Sequence, residues 1–306
     1  MSNNTLIKPA VGLLYNPAVP GVLDYAGELV SYLEIIPDRL WYDFGRAEAR
    51  HNRFNQVQGA VDTLKRYAQG RTVAGHGIGL SLPSAMPLDQ DLLNEVISAA
   101  NAFDFPWYSE HLSMFLTPHG SVPNAQAGLG LPVLYNEETL AILKTKLQQI
   151  SSALNCPILL ENGSIFTPIP EMEMTEMEFF GRLYKEADCG MLLDLHNLYV
   201  SSRNGSVEPH EYLSRLDPTV VGEIHMAGGD ELLGFYTDSH SRFTPEEVWS
   251  LAFEFVPRCQ NLRAIIFEFH ESYFERLGLQ GIAKELEKLH ELAATAGQHA
   301  RAEQSC

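Results

Sequence analysis

The strongest constraint on the fold is an alternation of two hydrophobic periods along the chain. Eight short runs rich in aliphatic and β-branched residues recur: PAVGLLYN (9–16), SYLEIIPD (31–38), TVAGHGIG (72–79), WYSEHL (107–112), PILLENGS (157–164), GMLLDLHN (190–197), VVGEIHMAG (220–228) and AIIFEFH (264–270). Between them lie segments such as QVQGAVDTLKRYAQ, LDQDLLNEVISAANAF, NEETLAILKTKLQQISSALN and MTEMEFFGRLYKEAD, whose apolar residues return at helical spacing. Thr244-Pro245-Glu246-Glu247 adds a capping residue, a proline at the first helical position and a glutamate three after the cap, which predicts a helix start there. Strands alternating with helices are the pattern of repeated βα units. Eight units within 306 residues predict a (β/α)8 TIM barrel, a fold that uses this length as a single domain. The barrel is expected over 1–292, with 293–306 as a flexible C-terminal tail.

One of these runs contains a contradiction. LLDLHNLYVS (192–201) reads as a buried strand, yet it carries Asp194, His196 and Asn197. A carboxylate stripped of water is costly unless a counter-charge or metal replaces the hydration. In a barrel of this kind, chemistry gathers at the C-terminal ends of the strands. His76, His111, Glu161, Asp194, His225 and Glu268 all fall at such ends, and Asp238 and His240 lie in the long connection after the seventh strand. A single histidine there is ordinarily a hydrogen-bonded core or loop residue, and a lone carboxylate can simply cap the next helix. Six of eight strands ending in imidazole or carboxylate is a different matter, because six independent structural reasons would have to coincide. These donors, with no cysteine among them, suit iron, manganese or zinc. They exceed what one tetrahedral zinc needs, so two or three ions sharing carboxylates are expected.

Other features point away from competing functions. A net charge of -18, from 21 basic and 39 acidic residues, opposes broad contact with nucleic acid or anionic lipid. Cys156, Cys189, Cys259 and Cys306 show no CxxC spacing, which excludes a zinc knuckle or disulfide framework and fits a reducing cytoplasm. No secretory signal or run of roughly 20 apolar residues is present, so a soluble, cytoplasmic protein without membrane partners is expected. GHGIGLS lacks the Gly-Lys-Ser/Thr of a phosphate loop and reads as a close turn beside His76. Asn155, Cys156 and Cys189 precede strands at the opposite barrel end and read as packing residues; Met172, Met174 and Met177 read as a loop and first helical turn. His51, His119, His210, His290 and His299 are expected at the surface.

HGIGLSL, SEHL, LLENGS, LLDLHNLYVS, EIHMAGG, TDSH and FEFHES, in that order, resemble the motifs of the DUF692 family, the multinuclear non-heme iron-dependent oxidative enzymes. The resemblance implies a TIM barrel with two or three irons at its mouth. It implies oxidation of a cysteine in a ribosomally made peptide by dioxygen, with a small recognition protein bringing the precursor. Carried over residue by residue, it implies metal ligands at His76, His111, Glu161, Asp194, Asn197, His225, Asp238, His240 and Glu268, with Asp238 and His240 also catalytic. Asn197 enters only through the resemblance, since a neutral amide is a weak donor. Strand alternation places His196 on the face of Asp194, so His196 is kept, with Asn162, Ser109 and His270, as a ligand support or substrate contact. Phe269-His270 stands where many relatives have Trp-Asp, which leaves the chemistry on the substrate side open. Excision of the β-carbon of a C-terminal cysteine, as in 3-thiaglutamate biosynthesis, is the product type the resemblance favours. The alternatives are a metal-dependent isomerase or hydrolase of the xylose isomerase or endonuclease IV type, and a module that binds metal or peptide without turnover.

Overall fold

The computed structural model describes residues 8–45, 52–117, 125–167 and 172–298. Eight parallel strands close a barrel in sequence order: β1 (Ala10–Leu14), β2 (Tyr32–Ile35), β3 (Thr72–Gly77), β4 (Tyr108–His111), β5 (Ile158–Glu161), β6 (Gly190–Asp194), β7 (Val221–Met226) and β8 (Ala264–Phe267). Each lies inside one of the eight runs read from the sequence. Closure comes from β8 pairing with β1, Ala10 opposite Ala264 and Leu13 opposite Phe267. The expected helices also form: α1 (Val19–Ala26), α2 (Gln58–Ala68), α3 (Gln90–Phe103), α4 (Glu137–Leu154), α5 (Glu176–Ala187), α6 (Leu195–Arg203), α7 (Pro209–Arg215), α8 (Glu246–Phe255) and α9 (Phe274–Ala293).

Local chemistry sets the helix ends. Asp89 and Asn136 accept the amides of Leu92 and Thr139 to start α3 and α4, and Thr175 with Glu178 forms a reciprocal capping box on α5. Asp104, Asn155 and Asp188 end the same three helices in the left-handed conformation, which short polar side chains tolerate best after glycine. Each helix buries an apolar stripe against the outward face of the strands, as Leu140, Leu143, Leu147 and Ile150 do on α4.

The inward faces are tiered. Leu14, Tyr32, Ala74, Trp107, Leu159, Leu192, Ala264 and Ile266 fill the lower interior, where the rings of Tyr32 and Trp107 stack with centroids 5.3 Å apart. Two residues further along most strands the inward side chain turns polar: Glu34 above Tyr32, His76 above Ala74, Glu161 above Leu159, Asp194 above Leu192 and Glu268 above Ile266. The period of two that makes a strand thus stacks an acid and imidazole layer directly on an apolar one. A register shift between β6 and β7 at Met191/Leu192 brings Leu192 opposite Glu223 and Asp194 opposite His225.

Four local expectations are corrected. LLDLHNLYVS is strand only to Asp194; that carboxylate accepts the Asn197 amide at 2.7 Å and caps α6, so His196 and Asn197 lie in a first helical turn and not on a strand face. α8 begins at Glu246 with Pro245 in the cap position, and Thr244 turns instead toward the Glu285 carboxyl. The chain does not loosen at 293: Ala293 is buried, Ala296 packs on the core, and Gly297 turns the backbone. His290 is half-buried, with Nε2 2.9 Å from the Leu29 carbonyl, while His210 is exposed beside Glu254. His51, His119, His299 and Cys306 lie outside the described residues. Three two-stranded ribbons, at 41–43 with 54–56, 114–117 with 125–131, and 231–232 with 235–236, decorate the connections. Among the described residues no helix is long and apolar enough to cross a membrane.

Close approach of β1 to β2 makes Gly12 a test of barrel closure. A Cβ there would lie 2.1 Å from the Tyr32 carbonyl oxygen, a backbone atom that cannot swing away. Gly12→Ala is expected to cost about 1–3 kcal/mol or more, the range of overpacked cores, read as a lower melting temperature. Gly59→Ala in α2, where a Cβ meets nothing within 4 Å, should cause no loss.

Candidate metal centre

Neighbouring strands deliver the polar residues in pairs. His111 on β4 is in register with Glu161 on β5, and Asp194 on β6 with His225 on β7. Three groups result at the mouth, and a fourth, Glu34, Glu223 and His225, lies beneath them. In the first, His76 Nε2 lies 3.4 Å and His111 Nδ1 2.5 Å from Glu161 Oε2, and the two imidazoles approach to 3.1 Å. The second joins Glu161, Asp194 and His225, with Glu268 Oε2 3.3 Å from His225 Nδ1. The third joins His196, Asp238 and His240: Asp238 Oδ1 lies 2.8 Å from His196 Nδ1 and 2.9 Å from His240 Nε2. Glu161 belongs to the first two groups, and Glu268, 3.6 Å from His240, links the second to the third.

The third group depends on the loop after β7. Gly228 and Gly229 let it fold back, since a Cβ would strike the Phe243 carbonyl at 2.1 Å or the Thr237 carbonyl at 1.8 Å. Asp230 pins the return through Ser241, Arg242 and Arg276, and the Thr237 amide donates to the Asp230 carbonyl. His240 itself adopts a left-handed backbone, with φ of 50°. From β8, the His270 amide donates to the His240 carbonyl at 2.9 Å.

Burial makes the electrostatics severe. Burial pushes Asp194 well above the usual carboxylate range, and the charges of Glu161, Asp238 and Glu268 add to the shift. Burial acts the same way on Glu161, Glu268 and Asp238, yet all three are lowered, because His111, His225 and His240 respectively hold them ionised. Burial opposes protonation of the imidazoles, but Glu161 carries His111 up to about 9, Asp238 carries His240 up to about 10, and Glu268 with Glu34 raises His225 well above its ordinary value.

The residues fit a multinuclear metal centre. Glu161 Oε2, His196 Nε2, Asn197 Oδ1, both nitrogens of His225 and His240 Nε2 are buried with no partner of hydrogen-bond geometry. Unpartnered buried atoms of this kind, from five residues of the cluster, are what metal ligation would satisfy. The amide nitrogen of Asn197 donates to Glu161 Oε1 at 3.1 Å and to the Asn162 carbonyl, which leaves its oxygen free to face the site. His196 and Asn197 therefore both reach the centre, at different groups.

The remaining expected residues divide. Ser109 Oγ lies 2.8 Å from His76 Nδ1 beneath the centre. Asn162 spends both side-chain atoms on the backbone of Asp194, at 2.9 Å each, and thus ties β5 to β6. His270 is not brought into the cluster: its ring is exposed at the rim and its Nδ1 accepts the Ser272 amide. Sequence reading missed Glu34, Glu110 and Glu223, all fully buried, the first and last beneath the centre and Glu110 on the outward face of β4 with Tyr108. Glu34 Oε2 lies 3.0 Å from His225 Nε2, Glu223 accepts the Trp107 indole at 2.7 Å, and Glu110 accepts the Tyr108 hydroxyl at 2.6 Å. Burial, reinforced by Glu34 and Asp38 respectively, pushes Glu223 and Glu110 each up to about 8. Glu34 and Glu223 each interrupt an apolar run, the same anomaly that singled out Asp194.

Comparison with known proteins agrees with this geometry. The family model described as RiPP precursor modification enzyme MbnB/TglH/ChrH matches residues 11–294. A UPF0276 protein of Chromobacterium violaceum is 32% identical over 240 residues, covering 78% of this chain and 84% of its own length. One of Anaeromyxobacter sp. is 32% identical over 203 residues, covering 66% and 70%. Among solved structures, an L-ribulose 3-epimerase superposes with a TM-score of 0.56 at 10% identity, covering 98% of both chains. Endonuclease IV from Thermus thermophilus gives 0.53 at 14%, covering 94% of this chain and all of its own. These two likenesses establish the barrel fold.

The raised imidazoles give a pH signature. Metal ligation needs neutral imidazole, whereas His111 and His240 hold protons at neutral pH in the metal-free protein. Zinc binding at pH 7.5 is expected to release on the order of two protons per chain, seen as calorimetric heats that change with the ionisation enthalpy of the buffer. Buffer-independent heats would contradict the charge pattern. The stability of the metal-free form follows with opposite signs. The histidine contribution is complete below their unfolded value of about 6.5 and disappears as pH rises through about 9 to 10. The contribution of depressed Glu161 and Asp238 is complete above about 4 and disappears in acid.

Proposed function

Because the chain belongs to the MbnB/TglH/ChrH family of RiPP precursor modification enzymes, we propose that it oxidatively modifies a cysteine of a ribosomally made precursor peptide, using two or three irons and dioxygen. The observation that carries this reading is the continuous set of buried, unpartnered imidazole, carboxylate and amide donors in three linked groups, more than a single ion can use. When bound, iron supplies one-electron chemistry with dioxygen and a Lewis acid able to hold a thiolate. His76, His111 and Glu161 would hold one ion; Glu161, Asp194, His225 and Glu268 a second, with Asn197 beside Glu161; His196, Asp238 and His240 a third.

The chain's own residues govern access. His111, Asp238 and His240 keep 22–26% of their side-chain surface while the rest of the cluster is closed, so a peptide thiol would enter between the β4 and β7 loops. The cluster's remaining members are buried above the apolar tier, which strengthens every electrostatic contact there. With only two ions bound, Asp238 and His240, half-buried and 2.9 Å apart, are placed to receive or return a proton at the entering group, the catalytic role we assign them. The protein's own described cysteines do not compete: Cys156 and Cys189 precede β5 and β6 at the far end of the barrel, and burial pushes Cys189 and Cys259 each up to about 12.

Within this reading the favoured product is a peptide shortened by the β-carbon of a C-terminal cysteine, and a small recognition protein presents the substrate. An isomerase or hydrolase built on the same barrel would act without oxygen. Protein loaded anaerobically with iron, then exposed to air with cysteine-containing precursor peptides, should consume oxygen and change the peptide mass within the cysteine-bearing fragment. His240→Ala should lower that turnover by more than the about 10- to 100-fold that loss of a supporting hydrogen-bond partner costs. No mass change in any peptide, or equal turnover by magnesium-loaded protein without oxygen, would overturn the assignment.

A further inference from the structure

Below the metal ligands, Glu34 occupies an unusual position. It sits on β2, fully buried, and belongs to no motif that singles out the ligands. Its two oxygens face different imidazoles. Oε2 lies 3.0 Å from His225 Nε2 as an ion-pair approach outside hydrogen-bond geometry, and neither atom has a hydrogen-bond partner. Oε1 accepts the Ser109 hydroxyl at 3.2 Å, and the same hydroxyl lies 2.8 Å from His76 Nδ1. In each ring the opposite nitrogen looks upward: His225 Nδ1 toward Glu268 at 3.3 Å, and His76 Nε2 toward Glu161 at 3.4 Å. Glu34 from below and Glu161 from above therefore bracket the two imidazoles.

We infer that Glu34 is a positioning residue that braces ligands of two different metal subsites with one carboxylate, directly for His225 and through Ser109 for His76. The inference rests on the metal-centre reading above. A carboxylate behind a ligating imidazole fixes its tautomer and ring orientation and raises its basicity. Here a single side chain does so for both rings, so it sets Nδ1 as the ligating atom of His225 and Nε2 as that of His76. Beneath it Tyr32 and Trp107 stack, and the Trp107 indole donates to one oxygen of Glu223, whose other oxygen is unpartnered. A second consequence is mechanical, because a shift of the Glu34 carboxylate when one subsite fills is transmitted to the imidazole of the other.

The test uses cobalt(II) alone as an optical probe, titrated anaerobically into the intact metal-free protein and into Glu34→Gln and Ser109→Ala. Wild type should bind at least two equivalents with distinct d–d bands. Glu34→Gln keeps the volume and loses the charge, and should weaken two of the equivalents by about 10- to 100-fold each and alter both band sets. Ser109→Ala should weaken and alter only one. Added to Glu34→Gln, it should have little further effect on that equivalent, since both act through one chain of contacts. A purely structural Glu34 would lower the melting temperature of the metal-free variant while leaving cobalt affinity and bands of the folded protein unchanged, and that result overturns the inference. So does a Ser109→Ala variant that disturbs both equivalents equally. Wild type that binds no cobalt overturns the metal-centre reading itself, and this inference with it.

Discussion

Five carboxylates, Glu34, Glu161, Asp194, Glu223 and Glu268, are packed into one end of a dry barrel with at most 3% of their surface exposed. No fold buries that much like charge without compensation. Part comes from imidazoles interleaved between them, His76, His111, His225 and His240, and part from proton sharing at Glu223 and Asp194, which burial pushes toward the neutral form. The rest of the molecule follows from that requirement. Strands must end where they do to present these groups, the β7 loop must double back through two glycines to bring Asp238 and His240, and α6 must start at Asp194 so that its first turn contributes His196 and Asn197. The fold therefore does not merely carry the site, because the polar tier completes the interior above Tyr32 and Trp107.

Much of this was legible in the residue pattern. The periods of two and of three to four are direct consequences of strand and helix geometry, so all eight strands and the main helices could be placed within a few residues. The acid and imidazole ends of β3 to β8 were legible for a physical reason as well, since charged groups inside apolar runs demand a partner. Ser109 lies against His76, and Asn162 serves the backbone of Asp194. The same reasoning, applied evenly, would have found Glu34 in SYLEIIPD and Glu223 in VVGEIHMAG. Glu34 was passed over because no other polar residue marks its strand, and Glu223 because it sits one tier below His225.

What the pattern could not give is where one backbone form hands over to another. In LLDLHNLYVS the apolar spacing continues smoothly across the change from strand to helix, and only the capping of the Asn197 amide by Asp194 marks it. Thr244 has the composition of a cap but is drawn to Glu285 by tertiary packing, which overrides local preference. His270 resembles a site residue by its place after Glu268, yet the turn at 271–273 takes its ring to the rim. Each of these outcomes depends on contacts between residues far apart in the chain.

The order in which the barrel is assembled during synthesis decides when the constellation exists. Glu161 and His111 meet on adjacent strands, but Glu268 reaches its place only when the eighth strand zips against the first. A growing chain on the ribosome accordingly displays at most fragments of the constellation. The full donor set comes into being only in the closed cylinder, as a product of completed folding rather than a template for it.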